Sequence, residues 1–333
     1  MKVARTSPAA KRWIYPAALV VVWGVWAAAM SIGDAWHLFA TRWPMALTMV
    51  FGSFVAGSTP AGGGAVAYPV FTKMLSVPTG DAALFGLMIQ AVGMNMAALF
   101  ILTRGIRINR NVLGWTVLGA VPGVMAGLAF VELPANVPRL AFSSLLFAFA
   151  LALYRSHWKR RHIPEPEIVG WTRRDGIRFA LLGVLGGVVA SQLGSGADML
   201  CFMLMTLGYG LDERVAVPTS VVTMAVVSAF GFAFRLLMPQ PIGVVWEYWA
   251  VAAPVVAVGA PFGAWVASRV KGGAILVFVF VLVVVELTTT AILVPVDAPR
   301  GVMLVAVLAV AAVWFWRLRR MRERRWKARQ QGL

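Results

Sequence analysis

Apolar positions along this chain fall in blocks rather than in stripes. Blocks near 20 residues, poor in charge, recur at about 13–32, 82–102, 112–131, 138–154, 215–235, 246–268, 273–294 and 300–316. Each matches a helix that crosses a hydrocarbon core of ~30 Å. Two further apolar stretches, 43–76 and 177–208, break the pattern. As continuous helix they would measure ~51 and ~48 Å, more than one crossing needs and less than two crossings with a turn. Each is interrupted by glycine, in PAGGGAVAYPV from Pro60 to Val70 and in QLGSGADMLCF from Gln192 to Phe202. The pattern predicts two re-entrant helical hairpins, each entering the membrane partway and returning to the side it came from.

The two interruptions are related. With the second laid under the first, Gly62 falls on Gly194, Gly63 on Ser195, Gly64 on Gly196 and Ala65 on Ala197. Further on, Arg104 parallels Arg235, and Gly119, Gly123 and Gly127 echo Gly259 and Gly263. Each half reads as a hairpin followed by three spans, and an odd number of spans inverts the second half. The expected fold is an all-α integral membrane protein, an inverted-repeat helical bundle of about eight spanning helices plus two re-entrant helical hairpins. Residues 1–42 hold an N-terminal helix and outer loop, 43–154 repeat 1, 155–176 a basic cytoplasmic linker, 177–294 repeat 2, and 295–333 the last span and a basic cytoplasmic tail.

Composition agrees. Hydrophobic residues make up 60% and charged residues 13% of the 333, with mean hydropathy +0.80, more apolar surface than a soluble fold of this length can bury. The net charge of +17 invites a nucleic-acid reading, but the positions of the charges describe topology. With a cytoplasmic N-terminus and hairpins that do not cross, only Arg42, Lys73, Arg139, Arg235 and Arg300 of the 30 Lys and Arg fall outside, a positive-inside pattern. The expected location is the cytoplasmic (inner) membrane, multi-pass, with both termini in the cytoplasm. The tail RLRRMRERRWKARQQ reads as an anchor on anionic lipid rather than a nucleic-acid arm. The first apolar block exceeds the ~7–15 residues of a signal-peptide core, so it reads as an uncleaved helix. Cys201, the single cysteine, excludes an internal disulfide and reads as a small core residue.

Irregular backbone at membrane depth is tolerated where it is buried in protein or lines a cavity. After each break a short helix starts, near Ala65 and near Ala197. Its first N–H groups lack helical partners and its dipole is positive there. Two such starts meeting near the midplane would hold a small anion without a fixed cation. The candidate binding residues are Gly62, Gly63, Gly64, Gly194, Ser195 and Gly196. Flanking donors are Ser58, Thr59, Ser191 and Gln192; Gln90 and Asn95 lie on the span after the first hairpin, and Thr219, Ser220 and Thr223 on the span after the second. Asp198 and Glu286 are the candidate proton-coupling acids. Asp198 has a plainer reading too, as a charge that favours its own helix start. Gly119, Gly123, Gly127, Gly183 and Gly187 read as close-packing glycines.

Other chemistry is not expected. His37, His157 and His162 fall in predicted loops, and no metal or cofactor site is read. Gly194-Ser195-Gly196 loosely resembles the serine of intramembrane rhomboid proteases, but those enzymes need a later histidine as base and none follows His162. No GxxxxGK[ST] loop for ATP occurs. The expected partners are a small anionic substrate and the lipid bilayer, not nucleic acid; oligomeric state is open.

The elements AGGGAVAYPV and LGSGADMLCF, together with VPTS from Val217 to Ser220, resemble the sulfite exporter TauE/SafE family over roughly residues 43 to 294. The resemblance implies a transporter for sulfite or another sulfur oxyanion or organosulfonate, exporting with the proton gradient, with Gly62–Gly64 and Gly194–Gly196 along the route. Ser195 replaces the middle glycine of the second break, and Cys201 stands where the first repeat has Pro69. An uncoupled anion channel or facilitator is the alternative, as is a membrane binding or sensor protein that moves nothing.

Overall fold

The computed structural model describes residues 13–134, 137–138, 141–147, 150, 154 and 165–269, with 277, 280–281, 283–285, 288, 309, 313–314, 316–318 and 320–325. Its helices are α1 (Ile14–Ile32), α2 (Leu38–Ser58), α3 (Gly64–Pro69), α4 (Thr79–Thr103), α5 (Arg110–Phe130), α6 (Arg173–Leu193), α7 (Ala197–Met203), α8 (Glu213–Leu237) and α9 (Val245–Arg269). All but α3 and α7 are long and apolar enough to cross a membrane, seven in all among the described residues. No strand occurs among these residues, only an isolated bridge between Glu165 and Leu211.

Five predicted spans stand as α1, α4, α5, α8 and α9. The expected span 138–154 is helical at its described residues, 138, 141–147, 150 and 154, whereas 273–294 and 300–316 lie largely outside the described residues, as does Glu286. The two over-long stretches break where their glycines are, but they begin earlier than hydropathy suggests. α2 and α6 are each 21 residues, or ~31 Å, long enough to cross alone. Only the second arms, α3 and α7, are half-length. Each runs on into a π-helical turn, Val70–Met74 and Leu204–Gly208. α6 starts inside the charged linker because Thr172 and Asp175 form a capping box there, a signal that hydropathy does not carry.

The element order α2-break-α3-α4-α5 recurs as α6-break-α7-α8-α9. Among the described residues the two most extensive helix pairings are α5 on α6 and α2 on α9, so the helix that opens each half packs on the second long helix after the break in the other. Both seams are made of glycine. A Cβ on Gly119 would lie 1.9 Å from Ala180 O, on Gly183 2.3 Å from Thr116 O, and on Gly187 2.2 Å from Ala120 O. In the other seam, Gly57 would meet Ala260 O at 1.8 Å and Gly263 would meet Phe54 O at 2.2 Å. Close backbone approach is what small residues provide between membrane helices. Gly119→Ala is therefore expected to destabilise the protein by about 1–3 kcal/mol through overpacking, lowering the unfolding midpoint in detergent. Gly114→Ala, on the same helix with nothing within 4 Å, is expected to leave it unchanged.

α1 lies on the outside of α9 and repairs its prolines. Pro254 and Pro261 have no N–H to give the carbonyls four residues back, Ala250 and Ala257. Trp26 Nε1 donates to Ala250 O at 2.7 Å and Tyr15 OH to Ala257 O at 3.3 Å. α4 and α8 occupy the middle and are the most deeply buried of the crossing helices among the described residues.

Candidate functional site

At the first break, Ser58 ends α2, and Thr59 Oγ1 donates to Val55 O (3.0 Å) while accepting the Ala61 N–H (3.2 Å). The chain then reverses through Gly62 at φ +67°, and Gly63 caps α3 with no side-chain bond to its first amides. At the second break the reversal uses Gly194 at φ +72° and Gly196 at φ +135°. Gly62 and Gly194, matched in the sequence repeat, thus share the left-handed backbone that glycine adopts most readily.

The two tips touch. A Cβ on Gly62 would stand 2.8 Å from Asp198 Oδ2, 3.3 Å from Ser195 Cβ and 3.4 Å from Gln90 Oε1, and one on Gly64 would stand 2.7 Å from Ser195 Oγ. The second tip also lies against the N-terminal half of α4. A Cβ on Gly194 would be 2.7 Å from Ala83 O and 2.9 Å from Gly86 Cα, and Gln90 Nε2 donates to Gly194 O. Ser58, Thr59, Gln90, Ser195 and Asp198 are all buried here.

The starts of the two short helices differ. Asp198 Oδ1 accepts the N–H groups of Gly196 and Met199, each at 3.0 Å, so α7 is capped by its own acid, as the plainer reading of that residue has it. α3 has no such cap. Asp198 Oδ2, Gln90 Oε1, Ser195 Oγ and Ser58 Oγ are buried with no hydrogen-bond partner. Among the described residues no Lys or Arg is buried, and no ion pair involves Asp198.

Other candidates point elsewhere. Gln192 Nε2 donates to Gly127 O (3.2 Å) and Val131 O (3.0 Å), closing the end of α5. Gln192 also lines a mainly apolar cavity of about 690 Å³ with Leu145, Val189, Leu200, Trp314 and Arg317. Asn95 Nδ2 donates to Ala91 O and, at 2.9 Å, to Ala225 O, tying α4 to α8. Thr219 Oγ1 donates to Val215 O and accepts the Asn109 N–H at 2.9 Å, next to the start of α5. Ser220 and Thr223 donate to carbonyls of their own helix, as does Ser191. Sequence reasoning missed Gly86, which admits the second tip. Its signal is the spacing Gly86, Gln90, Gly93, one face of α4 across two turns.

Apolar crossing helices around buried, unpaired polar groups define a multi-pass membrane protein with an internal polar site. The chain belongs to the sulfite exporter TauE/SafE family, whose family model matches residues 45–289, a range that includes both breaks and every helix from within α2 to α9. It is a membrane transporter of that family. Comparison with curated proteins and with solved structures gives no match.

Proposed function

We propose that the protein is a secondary transporter that moves a small anion, sulfite or another sulfur oxyanion or organosulfonate, across the cytoplasmic membrane coupled to the proton gradient. The observation that carries this reading is the contact of the two glycine breaks, Gly62–Gly64 on Ser195 and Asp198, beside the N-terminal half of α4. The crossed pairing of α2 on α9 and α6 on α5 supports two halves related by inversion, with α3 and α7 as re-entrant arms from opposite faces. The distribution of Lys and Arg supports cytoplasmic termini.

In the mechanism, the uncapped start of α3 attracts the anion. Ser195 and Ser58, whose hydroxyls have no other partner, donate to its oxygens. Asp198 Oδ2 faces the same place, and an ionised carboxylate there repels the substrate. A proton taken up on Oδ2 removes the repulsion, so anion and proton occupy the site together. Rocking of one half on the other along the glycine seams then exposes the site to each face in turn.

The experiment is sulfite flux into liposomes holding the purified protein, with and without a pH gradient. Concentrative flux driven by the gradient is expected, and Asp198→Asn is expected to retain flux but lose its response to the gradient. An Asp198→Asn protein that responds like the parent removes Asp198 from coupling. Flux that only equilibrates favours the channel, and no flux of any small anion favours the binding protein.

A further inference from the structure

The unpartnered oxygens at the breaks are oriented by their neighbours. Gln90 donates its amide nitrogen to Gly194 O. A carbonyl can only accept, so the amide cannot be turned round, and Oε1 faces the pocket. Asp198 is fixed in the same way: Oδ1 holds two backbone N–H groups, which leaves Oδ2 facing Gly62. Oδ2 and Oε1 lie 2.8 and 3.4 Å from the same point beside Gly62, with Ser195 Cβ 3.3 Å from it. Two acceptors thus look into one buried space, and Ser195 Oγ bonds to neither. Buried acceptors left unmade are costly, and a buried carboxylate without a positive partner more so. The described protein supplies no such partner.

A small cation beside Gly62 would take Asp198 Oδ2 and Gln90 Oε1, with Ser195 Oγ, 2.7 Å from a Cβ on neighbouring Gly64, as the third oxygen. The donor set is hard, with no nitrogen or sulfur, which excludes a preference for the softer transition metals. It holds one carboxylate, so a monovalent ion gives a neutral site, whereas divalent calcium usually takes more oxygens and more charge. We propose that Asp198 Oδ2, Gln90 Oε1 and Ser195 Oγ form a sodium site at the contact of the two breaks. This rests on the reading of the breaks as the transport site and deepens it. Sodium and a proton are alternatives on the same carboxylate, and bound sodium gives the substrate anion the fixed cation that the half-helix start lacks.

Thermal unfolding of the detergent-purified full chain tests the site, with sodium chloride replaced by potassium or choline chloride at constant ionic strength. The midpoint is expected to rise saturably with sodium and not with the other two. Ser195→Ala is expected to weaken apparent sodium affinity about tenfold or more, and Gln90→Leu to remove the response. Ser195→Ala deletes one atom and decides the matter if Gln90→Leu does not fold. Equal responses to the three salts, or an undiminished sodium response in Ser195→Ala, overturns the site. Sulfite flux in sodium-free and sodium-loaded liposomes separates the two readings. Flux without any sodium-specific stabilisation removes the ion site and leaves the anion carrier, while sodium-specific stabilisation without flux keeps the ion site and removes the carrier.

Discussion

Gly62→Ala is expected to abolish sulfite transport in liposomes while the protein still folds and inserts. Two effects combine at this position. The backbone stands at φ +67°, where a side chain costs roughly 1–2 kcal/mol. The new methyl would also lie 2.8 Å from Asp198 Oδ2, inside the space assigned to substrate and ion. Gly105 separates the two effects, because it has nearly the same backbone, φ +66°, with nothing within 4 Å of a Cβ. Gly105→Ala is expected to lose a comparable amount of stability and no transport. Gly64→Ala gives a graded case. Its methyl would meet Ser195 Oγ at 2.7 Å without a left-handed backbone, so a partial loss of flux is expected. Parent-level flux in Gly62→Ala would show that the pocket beside Gly62 is not on the route.

The breaks were legible because length and composition conflicted. A stretch such as 43–76 is wrong for one crossing and wrong for two, and its consecutive glycines say where the chain turns. The matched pair Gly62 and Gly194 then carried information that neither break holds alone, and both adopt the same left-handed backbone. The packing role of Gly119, Gly183 and Gly187 could be read from spacing, but not their partners on the facing helix. Rotational phase was not legible. A helix that is apolar nearly all round, such as α4, has no periodic signal to say which face meets which neighbour. That is why Gln90 turns to the second break whereas Asn95, on the same helix, turns to Ala225. Gln192, beside the second break in sequence, likewise faces the end of α5. The polar first turn of α6 was hidden for a different reason. Arg173, Arg174 and Asp175 contribute to topology counts as charges, and only the capping pattern Thr172 to Asp175 marks them as helix.

Asp175→Ala is expected to cost about 3 kcal/mol of stability and to release the C-terminal segment from the rest of the protein. The carboxylate is 1% exposed and gathers five hydrogen bonds. Oδ1 accepts from Tyr209 OH (2.8 Å), Arg178 Nη1 (3.0 Å) and Arg325 Nη1 (3.0 Å), and Oδ2 from the Thr172 N–H (3.0 Å) and hydroxyl (2.9 Å). It therefore ties together the start of α6, the return from the second interrupted segment and the basic tail. Arg325 adds bonds to Val169 O and Gly170 O and sits 4.7 Å over the Tyr209 ring. The ion pairs are the smaller part of the effect, since Arg178 is 49% exposed and exposed pairs contribute ~0–1 kcal/mol. The larger part is the helix cap, typically ~1 kcal/mol, together with the Tyr209 hydroxyl and Thr172 amide left without an acceptor, roughly 1–3 kcal/mol. Asp175→Asn keeps the shape and one acceptor oxygen, so it is expected to lose about half as much. Thermal unfolding gives the stability, and limited trypsin digestion reads the tail. Cleavage between Arg317 and Arg325 should be faster in Asp175→Ala than in the parent at temperatures where both are folded. Equal cleavage rates would mean that the tail is held by lipid or by other contacts rather than by this carboxylate.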